Sequence, residues 1–233
     1  MKNALSTPWN AAHVASWLRT IKTLRSKHAL PAYIRFDELR AMLSQEQNRM
    51  VSDLLAIKPS AYGLTTPFSG LDEVPEDLVT VHGQHYLAEG KTKTLHDPYL
   101  PRKVHDAFAA MKAAFETDYP GRTLLVESGY RSPAYQVVVF FNWLARFYDG
   151  DVAKTLHHVA LPAYSQHCSA THTALDIENI EGLPTNQDLE GFKDTIEYHW
   201  LAAHAADFGF YESYPKDNQE GMRWEPWHWQ YLA

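Results

Sequence analysis

The chain has 233 residues, 45% of them apolar and 21% charged, values that suit one large folded domain or a domain with an extension. Its net charge of −7 excludes a general nucleic-acid binder, which carries a basic face, and says little about a small or peptidic substrate. A single cysteine, Cys168, excludes an internal disulfide, and no apolar run reaches the length of a membrane span.

Residues Met1–Pro8 lack the apolar core of a signal peptide. The expectation is a cytoplasmic start, with periplasmic or cell-wall action only after removal of a signal or by another export route. From about Asn10 to Lys27, Val14, Trp17, Leu18, Ile21 and Leu24 recur at helical spacing. Pro31 separates this helix from a second, about Asp37 to Ile57, with Leu39, Met42, Leu43, Met50, Leu54 and Leu55 as its stripe. Asp37 is the expected N-cap and Lys58-Pro59 the stop. Residues 60–101 are punctuated by glycine and proline without periodicity, which predicts a wrapping segment with short strands at most, near Leu78–Val81.

A third helix is expected over Arg102–Thr117, with Val104, Phe108, Met111 and Phe115 on one face, and then a strand over Thr123–Glu127. Pro133 is placed to open a helix over about Ala134–Tyr148. Leu175-Asp176-Ile177 reads as a strand, Thr195–Phe208 as a helix ended by Gly209, and residues 222–231 as an aromatic strand interrupted by Pro226. Helices and strands are interspersed, with no βαβ repeat and no glycine-rich phosphate loop. The pattern predicts an α+β fold.

The chemistry concentrates in two places. Near the C-terminus, Trp224-Glu225-Pro226-Trp227-His228-Trp229 sets a carboxylate three residues before a histidine among three tryptophans. Upstream, Ser165-Gln166-His167 and Thr173-Ala174-Leu175-Asp176 add a second histidine and an aspartate. Two histidines, an aspartate and a further glutamate make up the side chains of a hydrolytic zinc centre, in which three ligands leave a position for water and a non-ligating glutamate takes its proton. Strand alternation sends Leu175 and Ile177 to one face and Ala174 and Asp176 to the other. On a regular strand Glu225 and His228 would face opposite sides, so their convergence requires the break that Pro226 introduces.

The structural alternatives are a solvated aspartate at a strand end and a hydrogen-bonded histidine in an aromatic core strand. Of the 13 histidines, His172 competes with His167 as a ligand because it lies four residues before Asp176. Cys168 is read as a small buried residue rather than a ligand or nucleophile.

An ordered set of motifs runs from Leu71-Asp72-Glu73-Val74-Pro75 through Ser128-Gly129-Tyr130-Arg131-Ser132, Gln136, Tyr164-Ser165-Gln166-His167 and Ala174-Leu175-Asp176-Ile177. It continues with Gly209-Phe210 and Tyr214-Pro215 and closes on Glu225-Pro226-Trp227-His228. Over roughly residues 72–233 this set resembles the zinc D-alanyl-D-alanine carboxypeptidases, the VanY-like branch of the LAS peptidases. The resemblance implies a small antiparallel sheet flanked by helices, with residues 71–233 as the catalytic domain; residues 1–70, helical by their periodicity, form an extension that the resemblance does not cover.

The resemblance further implies Zn2+ held by His167, Asp176 and His228, with Glu225 as the catalytic base. Arg131 is then the arginine that engages the substrate near its scissile carbonyl or terminal carboxylate, and Gln136 and Ser165 line the same pocket. The implied substrate is a peptidoglycan stem peptide or muropeptide, cut by a D,D- or L,D-carboxypeptidase that releases a terminal D-amino acid. A peptidoglycan endopeptidase and a non-catalytic, zinc-stabilised wall-binding module are the rival readings. One departure stands out: Asp176 follows His167 by nine residues where the family pattern has seven, and Ala170 replaces a glycine. The excess falls at Ala170-Thr171-His172, as a bulge to be absorbed, and keeps His172 open as a ligand. The sequence leaves the oligomeric state open.

Overall fold

The computed structural model describes residues 9–27, 30–71, 74–182 and 189–233. Met1–Pro8 and the Asp72-Glu73 pair of the first motif lie outside the described residues. In chain order the elements are α1 (Ala11–Lys27), α2 (Phe36–Ala41), α3 (Gln45–Ala56), β1 (Leu78–Thr80), β2 (His85–Ala88), β3 (Lys91–Thr94) and β4 (Tyr99–Pro101). Then come α4 (Arg102–Asp118), β5 (Leu125–Ser128), α5 (Pro133–Phe147), α6 (Val152–Leu156), β6 (Ala174–Glu178), α7 (Leu189–Lys193), α8 (Ile196–His204), β7 (Phe210–Glu212) and β8 (His228–Tyr231). The α+β class is as the sequence predicts. The chain packs as two units, each with its own core.

One unit joins the residues up to Val74 with Ser132–Cys168 and Gln219–Met222. Its core is α1 against α5. Val14, Trp17, Ile21 and Leu24 are buried at their helical spacing, and Trp17 stacks on Phe141 with centroids 4.2 Å apart. Leu18, expected on that stripe, is instead exposed. The expected second helix is two helices. Ser44 accepts the Gln47 backbone N–H at 3.2 Å, and the Gln47 side chain accepts the Ser44 N–H at 3.2 Å. This capping box starts a new helix where the old one would have continued. Asp37 accordingly lies in the first turn of α2 behind Arg35, and Pro59 opens a 3-10 turn. In α5, Ser132 accepts the Tyr135 N–H at 3.0 Å and Pro133 takes the first turn, so the helix begins where proline costs nothing.

The other unit holds Pro75–Arg131, Ser169–Asn218 and Arg223–Ala233. Its centre is an antiparallel sheet in the order β5-β6-β8-β7. Val104, Phe108, Met111 and Phe115 of α4 share a core with Leu175, Ile177, Trp200, Phe210, Trp227 and Trp229. Gly209 ends the helical stretch after α8 with φ at +83°, as its C-cap reading requires. The segment read as irregular contains a β2–β3 hairpin. Glu89 and Gly90 both take positive φ in its two-residue turn, the geometry that matches the twist of the flanking strands. Lys91-Thr92-Lys93-Thr94 has no apolar alternation and so hid this strand. The outer side of β5 is met by Gln84, which donates to the Val126 carbonyl at 2.9 Å and accepts its N–H at 2.7 Å. A side-chain amide thus satisfies backbone groups that an edge strand would leave open.

Glu178 at the end of β6 is 6% exposed and accepts the Asn179 N–H at 2.9 Å. Burial pushes its carboxyl up to about 8, and the charges of Glu127 and Glu197 add to the shift. Between the ordinary value of 4.5 and about 8, the folded protein holds a proton that the unfolded chain has released. Stability therefore falls as pH rises through that window, by at most about 1.4 kcal/mol per pH unit. Urea midpoints measured from pH 5 to 8 should fall more steeply in the native protein than in Glu178→Gln.

Candidate active site

The register of β6 on β8 places the first two side chains. Leu175 faces Trp229 and Asp176 faces His228 across the ladder. Leu175, Ile177 and Trp229 enter the core, so alternation turns Asp176 and His228 together to the opposite face. His228 Nδ1 and Asp176 Oδ1 lie 2.9 Å apart, with His228 almost wholly buried and Asp176 partly so. Two such atoms at this distance share a proton, and a metal cation competes with that proton for the same lone pairs.

The carboxylate before His228 arrives by a turn rather than a strand. The His228 N–H donates to the Glu225 carbonyl at 3.0 Å, with Pro226 at the second position, where its fixed φ suits a β-turn. The strand therefore begins at His228, not at residue 222, and the turn cancels the strand alternation that would have separated the two side chains. Tyr214 braces both ends: its carbonyl accepts the Glu225 N–H at 3.1 Å, and its ring stacks on His228 at 4.9 Å. The Trp229 indole donates to the Pro226 carbonyl at 3.1 Å, tying the turn to the core. Tyr214 belongs to the motif set without a role assigned from sequence, and this bracing gives it one.

Burial pushes the Glu225 carboxyl up to about 7. Asp176 adds to the rise, while His228, Arg223 and Arg131 act against it. A carboxyl near neutrality is matched to taking and returning a proton.

Arg131 comes after β5, which carries a bulge against β6: Val126 faces Ile177, yet Ser128 already faces Asp176. The extra residue, Glu127, shifts the register of the downstream residues by one step. Tyr130 then donates its N–H to the Tyr99 carbonyl at 2.7 Å. A Cβ on Gly129 would lie 2.6 Å from that same carbonyl oxygen, so only glycine lets the two backbones approach here. Arg131 is fixed immediately after this contact.

His167 lies in a 3-10 turn, Gln166–Cys168, and is 3% exposed. Among the described residues, His167, Asp176 and His228 form the one group of three metal-ligating side chains whose donor atoms lie within 4.8 Å of one another. His172 is not in that group. It sits exposed on a turn closed by its own N–H to Ser169 Oγ and by the Thr173 hydroxyl to the Ser169 carbonyl. That turn absorbs the extra residues at Ala170-Thr171-His172. Cys168 is buried, as its reading as a small buried residue requires. Ser165 is buried, and the buried Gln136 donates to the Ala160 carbonyl at 2.9 Å, while among the described residues its Oε1 has no hydrogen-bond partner. Arg223, absent from the sequence reading, also acts on Glu225. Its signal was a cation two residues before the carboxylate.

The likenesses to known proteins agree with this geometry. The sequence model of the family VanY, D-alanyl-D-alanine carboxypeptidase, matches residues 97–233, more than half of the chain. YodJ of Bacillus subtilis strain 168, named as a carboxypeptidase, is 28% identical over 201 residues, which is 85% of this chain and 67% of YodJ. The bifunctional D-Ala-D-Ala dipeptidase and D-Ala-D-Ala carboxypeptidase VanXYC of Enterococcus gallinarum is 27% identical over 144 residues, 59% of this chain and 70% of its own. Among solved structures, the LdcB LD-carboxypeptidase shares 30% identity at a TM-score of 0.53, covering 68% of this chain and 69% of that one. The fold and these relatives define a peptidase of carboxypeptidase type. The chain belongs to the VanY D-alanyl-D-alanine carboxypeptidase family, the one its ordered motifs resemble.

In the metal-free protein, carbon-13 NMR of labelled glutamate should find Glu225 titrating near pH 7. Arg131→Gln removes a cation that lowers this value, so the midpoint should move upward. An unmoved midpoint would separate Arg131 from Glu225 electrostatically.

Proposed function

We propose that the protein is a zinc-dependent peptidase that hydrolyses peptidoglycan stem peptides and releases a terminal D-amino acid, with residues 71–233 carrying the catalysis. The observation that carries this reading is the Asp176–His228 pair beside a partly buried Glu225 whose carboxyl is pushed up to about 7. Family membership supports it. So do the names of the relatives, of which VanXYC acts on D-Ala-D-Ala and LdcB is described with peptidoglycan recognition.

Two imidazoles and one carboxylate fit zinc, since this mixed nitrogen and oxygen set with three protein ligands is that of hydrolytic zinc sites. His167, Asp176 and His228 would hold the ion. When bound, zinc supplies Lewis acidity toward the scissile carbonyl and toward water. Glu225 takes the proton of the attacking water and returns it to the departing amine, a general base that becomes a general acid. Arg131 binds the peptide's terminal carboxylate with charge-assisted hydrogen bonds. Gln136 and Ser165 are the further substrate-binding residues of this reading.

Zinc-loaded protein incubated with defined stem peptides should release a single D-amino acid by mass spectrometry, and a chelator should stop the release. Larger fragments alone would identify an endopeptidase. Glu225→Ala should cut kcat by about 10²- to 10⁴-fold while bound zinc, measured by elemental analysis, stays near one per chain. Retention of native kcat by that variant would remove Glu225 from the chemistry.

A further inference from the structure

Arg223 has no task in the proposed hydrolysis, and its surroundings give it one. Its side chain is partly buried, and its Nε is wholly shielded from solvent without a hydrogen-bond partner. Among the described residues its guanidinium makes no hydrogen bond and no ion pair. It lies over the ring of Trp227, 5.7 Å from the centroid. Trp227 is 2% exposed and belongs to the core, so the ring is a fixed platform for the flat cation. Arg131 is in the same condition, with a buried and unpartnered Nε.

A shielded guanidinium donor with no partner is costly to keep. Elsewhere in the same unit the chain does satisfy such a group: Arg122 reaches Glu197 and Glu181, each at 2.8 Å. Both unspent arginines act electrostatically on Glu225, yet neither bonds to it. Their donors are left for something from outside.

We propose that Arg223 is a substrate-specificity residue that binds a second carboxylate of the peptide, borne within two residues of the scissile bond and distinct from the terminal carboxylate given to Arg131. A carboxylate is favoured because a guanidinium over an indole ring presents a planar fork, which a planar two-oxygen anion meets with two parallel hydrogen bonds. Lysine offers no such fork. The assignment rests on the peptidase reading and narrows its substrates to doubly anionic peptides.

The test uses the full chain and peptides ending in the same D-amino acid, each with a side-chain or branch carboxylate near the scissile bond either free or amidated. For the free-carboxylate peptide, Arg223→Gln should raise KM by about 10- to 100-fold, the worth of hydrogen bonds to a charged group, while any change in kcat through Glu225 should be the same for both peptides. For the amidated peptide it should leave KM unaltered, and Arg223→Lys should recover only part of the loss. Calorimetric binding of both peptides to the metal-free native protein and to Arg223→Gln gives a readout independent of turnover. Absent hydrolysis with intact carboxylate-dependent binding would overturn the peptidase reading and leave Arg223 assigned. Equal losses on both peptides, or a shifted pH profile without discrimination between them, would reduce Arg223 to a support for Glu225 and overturn the proposal. So would the absence of any effect.

Discussion

The register between β6 and β8 is the constraint on which the chemistry depends. Leu175 and Ile177 from one strand and Trp229 from the other are anchored in the same core. Their burial is worth roughly 1.5–3 kcal/mol each, and a one-residue slip of either strand would send that strand's apolar residues to the wrong face. Asp176 and His228 occupy the alternate positions, so they meet because the apolar residues cannot be anywhere else. Their contact draws no stability of its own from the core, and it is nonetheless fixed by it.

The base depends on the same strand for its position but on a different force for its behaviour. Desolvation makes Glu225 reluctant to ionise, and the neighbouring Asp176 makes it more so, while two arginines and His228 oppose both. A group held between opposing effects of this kind stays near the midpoint of its titration, where the proton is easily taken and easily given. The three tryptophans around Glu225 and His228 act differently from one another. Trp227 and Trp229 are core residues, whereas Trp224 donates to Glu212 at 3.0 Å and lies under the Lys216 ammonium.

Local pattern was enough to read α1, α4, α5, the burial of Leu175 and Ile177, and the need for a break at Pro226. Each of these rests on a period or a backbone restriction that the residues carry in themselves. The Ser44–Gln47 box was equally local and shows how a polar pair can end a helix that its apolar stripe would continue. That Asp176 and His228 meet was implied by the family resemblance, but the strand register that sets them opposite one another was not legible, because register is set by the core contacts of residues far apart in the chain. The bulge at Glu127 was hidden for the same reason. Arg223 went unnoticed because its significance lies in bonds it does not make, which only a structure can reveal.

The stacking of Trp17 on Phe141 bears on how the chain can be divided. The residues that match the family begin at 97, yet α5 lies inside that stretch, and its core partners Trp9, Trp17 and Ile21 come from the first helical segment. A fragment trimmed to the family boundary would keep every residue of the proposed chemistry while exposing Val137, Phe140, Phe141 and Leu144 as one oily face. Such a face invites aggregation. The segment ahead of the family match is therefore not a detachable appendage but half of a shared core, and the smallest autonomous piece of this enzyme is larger than its homology suggests.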